Sequence, residues 1–527
     1  MRRTLATLTA TAVLLPVAVT AAPGAASAAT NTLTVTAIDR NGAAVATRVS
    51  VVNLSTRATY TLTSGKARTL PRGTYVALAS IHTPTDDSVT VGGRTAKVTG
   101  ASTTVIDARK GRPLNVTLNP APHRMSHADT TVRICASVRP STYVSAAHDP
   151  ERVYVVPNSS RNFQFAHLSY WSEPKNGATN DVGYVVTGTT QGVPAGYSRT
   201  VERSSLAPVT LTARSGTAFS SEHNYFMDST ASGCLRDMGA TAMSLDESHR
   251  LQYNWKTPHR FTAHVSPGTW NFKVIGDDSY QDRTLTLQGG KNYGLTFFRA
   301  AYGPNTFLPT VSGFGRLSFT TMAMLDNPDS TSAEGSYETN SRTVVTLSRG
   351  GKILKKQTRD NFAKRDPEFS HTLPAAGWYG LTADARRYHP EKTVPAGILS
   401  PRVVAKYRFY ADPRKNQAPP AHLIRIAAGG LDIQNRAEAE STTNLVIKVQ
   451  RPKQAEPRAK STVRTVTAQV SYDNGKTWKK TTLKKSGSKW VATVKNPGSG
   501  YVTVRAKAVD TKGNSSEVTI YRAYRIR

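Results

Sequence analysis

Pro71-Arg72-Gly73-Thr74-Tyr75, Pro267-Gly268-Thr269-Trp270, Pro374-Ala375-Ala376-Gly377-Trp378-Tyr379 and Pro497-Gly498-Ser499-Gly500-Tyr501 repeat one local arrangement, a Pro/Gly turn set directly before an aromatic residue. Proline fixes one turn torsion and glycine accepts positive φ, so the chain reverses at little cost and the aromatic can enter a core as the next strand begins. Outward from these turns, the segments 33–38, 48–54, 184–187, 344–347, 463–472 and 501–509 are β-branched or alternating, with Gly, Asn, Asp and Pro between them. An apolar period of 3.6 residues is missing over any useful length, and the nearest stretch, 434–441, is short and polar. The pattern predicts an all-β protein of several tandem β-sandwich domains, Ig-like or prealbumin-like.

Four copies of the turn suggest four sandwiches, and 527 residues are too many for one core. Segments rich in Pro and charge, 119–124 and 412–420, supply linkers. The expected division is a signal peptide at 1–28, a sandwich at 29–119, a long β-rich domain or two subdomains at 120–310, a sandwich at 311–413, and a linker with a basic Ig-like domain at 414–527. At the N-terminus, Arg2 and Arg3 precede an uncharged apolar run from 5 to 19, and Ala26-Ser27-Ala28 is a small-residue cleavage signature. Pro16 interrupts the run and no stop-transfer pattern follows, so a cleaved signal is expected, not a membrane span. The protein is thus expected outside the cell or on its wall. In that oxidising setting Cys135 and Cys234, the only two cysteines, are expected to pair, closing a loop worth about 4 to 5 kcal/mol in the chain-entropy picture. The alternative is two thiols in separate domains.

Five stretches, three near the C-terminus and two upstream, resemble a known family. The segment 431–437 (Leu-Asp-Ile-Gln-Asn-Arg-Ala), Ser471-Tyr472-Asp473-Asn474-Gly475-Lys476-Thr477-Trp478 and the segment 520–525 are similar to the C-terminal domain of large secreted bacterial subtilases. Leu70 to Tyr75 and Val105 to Leu114 resemble the β-rich modules that lie between protease domain and terminus in such enzymes. The resemblance implies an extracellular, protease-associated architecture and carries over no catalytic residue. A subtilase needs Asp, His and Ser in separate signatures, the His before Gly and the Ser within Gly-Thr-Ser. None of the 12 histidines precedes Gly, and 215–220 echoes the serine motif without its serine in place. The protease domain is absent from this sequence.

Other chemistries are no better supported. Neither Gly-x-Ser-x-Gly nor His-Glu-x-x-His occurs, and the neighbouring acids Asp86-Asp87, Asp246-Glu247 and Asp277-Asp278 would point to opposite strand faces instead of facing one another. His223, His249, His259 and His264, near Glu222 and Asp228, form the densest group of possible metal ligands, but their spacing is irregular. Asp326, Asn327 and Asp329 lack calcium-loop spacing. No metal or cofactor is expected. The expectation is a secreted, non-catalytic binding or scaffold protein; the alternative is an enzyme of unrecognised type with its site between His223 and His264. Trp171, Trp378 and Tyr379 are candidate exposed aromatics for carbohydrate binding.

The stretch from Ser471 to Trp478 also matches the Asp-box pattern. Asp473 can accept backbone N–H groups, Asn474 and Gly475 supply positive φ, and Trp478 packs beneath, so a structural hairpin is expected. The box occurs once, which argues against a propeller. Charge is the strongest quantitative feature. The net charge is +33, and 451–527 holds 18 basic residues against 4 acidic ones. Lys479, Lys480, Lys484, Lys485, Lys489 and Lys495 crowd this hairpin and its neighbour, and a strand has only two faces, so some must share one. Such a patch attracts polyanions. For an exported protein the matching partner is an anionic cell-wall polymer or acidic polysaccharide, or another secreted protein, and not nucleic acid. If export proceeds as read, N-terminal sequencing of the secreted protein will begin at Ala29; full-length protein in the membrane fraction would contradict it.

Overall fold

A computed structural model of the protein describes residues 31–122, 127–173, 180–219, 222–241, 244–245, 251–252, 255–276, 279–304, 308–312, 314–322, 324–328, 336–338, 340–360, 367–415, 418–451 and 458–527. The signal segment, His249, Asp329 and the acidic pairs at 246–247 and 277–278 lie outside them. Among the described residues the chain is built of strands, and helix is confined to four 3-10 turns of three residues each. The all-β reading holds, and its local signal is alternation in the half-buried strands: Thr32–Ile38 and Ala207–Ala213 bury every second side chain, whereas Phe163–Glu173 and Leu423–Ala428 are buried almost throughout.

The N-terminal part is layered. A four-stranded sheet, in which Ala101–Asp107 runs parallel to Thr32–Ile38, faces a seven-stranded one through Val35, Val51, Tyr75 and Ile106. The seven-stranded sheet buries its other side too: Val52, Val76 and Leu78 pack on Val132, Ile134 and Phe163 of a third sheet. Its strand order is Tyr197–Glu202, Arg112–Asn119, Val153–Val155, Ser88–Val98, Gly73–Thr83, Arg48–Asn53, Thr59–Thr63. One sheet therefore contains strands from both sides of residue 119.

The third sheet, also seven-stranded, packs on a six-stranded sheet centred on Glu222–Ser229 and Gly268–Gly276, with Leu168, Met227, Phe261 and Phe272 between them. Cys135, in the strand His127–Ala136, and Cys234, in the turn Gly233–Leu235, are disulfide-bonded with their Cα atoms 5.7 Å apart. The bond joins the two sheets of this sandwich.

A nine-stranded sheet dominates the C-terminal part. Its main path is Lys352–Asp360, Ser341–Arg349, Gly377–Arg387, Arg402–Ala411, Ser515–Ile526, Gly500–Asp510, Val463–Ser471, Lys479–Thr481. One continuous core, including Leu317, Leu347, Tyr407, Ile426, Val504 and Ile520, lies against it. The segments 311–413 and 414–527 thus share a sheet and a core. This part meets the middle sandwich at a buried side chain: Asn435 donates to Ser215 O and Phe298 O, both at 2.8 Å, and accepts from Ala300 N at 2.9 Å.

The recurrent turns acquire a common lock. Tyr75 Oη donates to Pro71 O at 2.7 Å, Trp270 Nε1 to Ser266 O at 2.9 Å, and Tyr379 Oη to Ala375 O, each bond reaching back four residues. The aromatic enters the core at the strand start and satisfies its polar atom on the turn it has just left. Gly268, at φ +135°, shows why glycine precedes it.

His167, in the strand Phe163–Glu173, is fully buried with Nε2 at 2.9 Å from the Tyr197 hydroxyl. Burial, and secondarily the charge of Arg199, push its pKa down to about 3. The ring is neutral in the fold but protonates below about 6.5 when unfolded, so its contribution is whole above that value and lost as pH falls towards 3. Lowering the pH from about 7.5 to about 5 should cost about 2 kcal/mol at this one site. His167→Gln should shrink the pH-dependent loss in denaturant titrations by that amount.

Candidate polyanion-binding groove

The C-terminal hairpin is fixed by its own polar atoms. Asp473 accepts from Thr477 N at 2.8 and 3.0 Å, from Thr477 Oγ1 at 2.5 Å and from Ser471 Oγ at 2.7 Å. Asn474 and Gly475 take φ of 59° and 89°, and Trp478 Nε1 closes the turn on Gly475 O at 3.1 Å. The Thr477 donors, and then Ser471, hold the Asp473 carboxyl well below the usual carboxylate range. The hairpin thereby sets where the following lysines leave the turn.

Lys479–Thr481 closes the edge of the nine-stranded sheet, with Lys479 opposite Val470 and Lys480 opposite Gln469. Two residues later Leu483–Ser486 pairs in a different, four-stranded sheet, with Lys484 opposite Val491 and Lys485 opposite Trp490. A groove of about 460 Å³ opens at this crossing, and Lys479, Lys480, Lys484 and Lys495 line it together with Tyr472. Tyr472 donates to Lys495 O at 2.7 Å, and Lys479 Nζ lies 5.5 Å from the ring centroid. Burial raises the Tyr472 pKa, so the hydroxyl stays protonated beside the ammonium groups. No carboxylate is among the lining residues.

Four of the six sequence-predicted lysines therefore converge. Lys485 does not; its Nζ sits 5.9 Å over Trp490 instead. Lys489 pairs with Lys448 across the sheet and is not part of the groove wall. Tyr472 is a groove residue that sequence reasoning did not single out, since in the hairpin pattern it is a variable position.

The histidine segment is split by the same alternation. His223 and His259 are buried with ring centroids 6.2 Å apart. Asp228, on the opposite face from His223, pairs with Lys273. His264 faces away from His259 and stacks on Tyr184 at 5.0 Å, its pKa lowered by burial and then by Arg203. Among the described residues no three His, Cys, Asp or Glu side chains form a metal-holding group. Asn327 is buried in a side-chain network, donating to Gln281 Oε1 at 2.8 Å, while Arg425 donates to its carbonyl at 3.3 Å. Of the candidate aromatics, Trp171 and Tyr379 are core residues and Trp378 is 36% exposed. No helix among the described residues is long and apolar enough to cross a membrane.

No protein-family model and no curated protein matches the chain. Among solved structures it is similar to the FN1-FN3 domains of chicken CNTN1, at 9% identity over 61% of this chain and 96% of that one, with a TM-score of 0.15. It is also similar to trypsin-activated alpha-2-macroglobulin from Escherichia coli, at 9% identity over 94% of this chain and 38% of that one, with a TM-score of 0.17.

The hairpin geometry makes a direct prediction. Asp473→Ala removes the acceptor that holds Thr477 N, so hydrogen exchange at that amide should accelerate several-fold at neutral pH while amides of the central strand Arg402–Ala411 stay protected. Unchanged exchange at Thr477 would show that the turn is held by its backbone alone.

Proposed function

We propose that the protein is an exported, non-catalytic binding protein, of the kind of β-rich module that accompanies secreted subtilases, and that its C-terminal groove retains it on an anionic polymer of the cell envelope. The observation that carries this reading is the convergence of Lys479, Lys480, Lys484 and Lys495 on one groove without a carboxylate in its wall. Four lysines along one groove wall suit a repeating anion: a polymer can present successive phosphates or carboxylates to them and release counterions as it binds. Tyr472 adds an amphipathic wall against which a sugar or polyol backbone can lie. The lysines are mobile point charges, which favours charge density over a single fitted ligand. Between the two partner classes, this favours the wall polymer or acidic polysaccharide over a secreted protein. The alternative reading, catalysis between His223 and His264, has no convergent acid, base and nucleophile among the described residues to support it.

Mature protein added to isolated cell walls should bind at low salt and elute as salt rises. Changing Lys479, Lys480, Lys484 and Lys495 together to Gln should flatten the dependence of log affinity on log salt by roughly three. Wall binding that is absent at low salt, or that the four changes leave untouched, would overturn the proposal.

A further inference from the structure

The nine-stranded sheet turns one face to the core and the other to solvent. Along Gly377–Arg387, Tyr379, Leu381, Ala383 and Ala385 are buried, whereas Trp378, Thr382, Asp384 and Arg386 point away. The register carries this outer face across the sheet. Trp378 lies opposite Tyr410, and Thr382 opposite Lys406. Lys406 lies opposite Glu517, which in turn faces Lys507.

An aromatic pair stands at each end of the face. Trp378 and Tyr410, exposed by 36% and 48%, meet edge to face with centroids 5.9 Å apart, and the Arg408 guanidinium lies 3.9 Å over Trp378. At the other end Gly475 separates Trp478 from Tyr521 so closely that a Cβ there would sit 3.5 Å from the first ring and 3.1 Å from the second. Arg505 lies 4.0 Å over Trp478, and Arg402 lies 4.9 Å over Tyr521. These guanidinium groups are held in place: Arg402 donates twice to Asp384, at 2.8 and 2.7 Å, and Arg505 Nε donates to Gln469 Oε1 at 3.0 Å. Tyr410 and Arg402 are eight residues apart on one strand, a span of roughly 26 Å. Between them run threonine hydroxyls with Lys406 and Lys507, and the two carboxylates, Asp384 and Glu517, already face cations.

We propose that this face binds an extended acidic polysaccharide, one whose sugar rings carry carboxylates. A pyranose has an apolar C–H face that fits an aromatic ring, hydroxyls that fit threonine, and in a uronate a planar carboxylate that fits a fixed guanidinium in two-point contact. The arrangement matches that order of groups, with aromatic platforms at the ends and cations and hydroxyls between. A lipid surface would ask for a contiguous apolar patch, and here a charged row separates the aromatics. An added peptide strand would need a sheet edge, and Trp378, Tyr410, Arg402 and Tyr521 lie on interior strands. The proposal does not depend on the lysine groove, which adjoins the face at Lys480.

Calorimetric titration of the mature protein with polygalacturonate, with its short oligomers and with neutral dextran tests it. Polygalacturonate should bind and quench tryptophan fluorescence, the affinity should rise with oligomer length until both platforms are spanned, and dextran should bind far more weakly. Trp378→Ala and Tyr521→Ala should each weaken polygalacturonate binding roughly tenfold, with melting temperature as the control for folding. The fourfold lysine-to-Gln variant should retain the length dependence and the quenching. Equal affinity for dextran, insensitivity to both aromatic changes, or loss of binding only in the lysine variant would overturn the assignment. If duplex DNA matched polygalacturonate in affinity and the aromatic changes had no effect on either, the face would be shown to select charge alone, which also overturns it.

Discussion

The buried amide of Asn435 ties the two larger parts of the molecule together. Its side chain reaches Ser215, Phe298 and Ala300, residues more than 130 positions away in sequence, and Arg214 approaches the same oxygen at 3.4 Å. The backbone it meets there is irregular, so its N–H and C=O groups have no ladder to satisfy them and need a partner that both donates and accepts. Asparagine supplies both and also tolerates the left-handed backbone found here, φ 57°. A second amide completes the joint: Gln281 accepts from Phe298 N at 2.9 Å and Asn327 Nδ2 at 2.8 Å, and donates to Tyr302 Oη at 2.6 Å. Apolar contacts alone would let sandwiches slide against one another, whereas directional bonds buried at this density hold one relative placement.

With the joint fixed, alternation organises everything built on the C-terminal sheet. Period-two alternation was readable from the sequence because it is local, and it carried the all-β assignment, while Asp473, Asn474 and Gly475 carried the hairpin from Ser471 to Trp478. Strand order was not readable. Val153–Val155 is only three residues long and enters a sheet whose other members lie mostly before residue 119. Nothing in a tripeptide of β-formers says which edge it will fill. The join between Arg402–Ala411 and Ser515–Ile526 is equally remote, so the division at 413 separates residues that the fold pairs.

The candidate groove shows where local reasoning stops. That Lys484 and Lys485 must diverge follows from strand geometry alone, but which of them meets Lys479 depends on the passage from one sheet to another between Thr481 and Leu483. Trp378 and Tyr379 make the same point. Both follow the same Pro/Gly turn, and adjacency places one in the core and the other in solvent. The fourth copy of the turn departs from the other three because Tyr501 stays half-buried, with Arg522 stacked 5.0 Å over its ring.

The place of Ser515–Ile526 has a consequence for how the molecule is made. It occupies an interior position of the nine-stranded sheet, between Arg402–Ala411 and Gly500–Asp510, yet it is the last of the sheet's strands in sequence. A chain emerging from a ribosome presents Arg402–Ala411 with one side of its ladder vacant until about a hundred further residues have followed. The first four strands can add one after another from the hairpin of Ser341–Arg349 and Lys352–Asp360, but the sheet cannot extend past Arg402–Ala411 until this keystone arrives. Throughout that interval the open edge is exposed to mispairing with a second nascent chain.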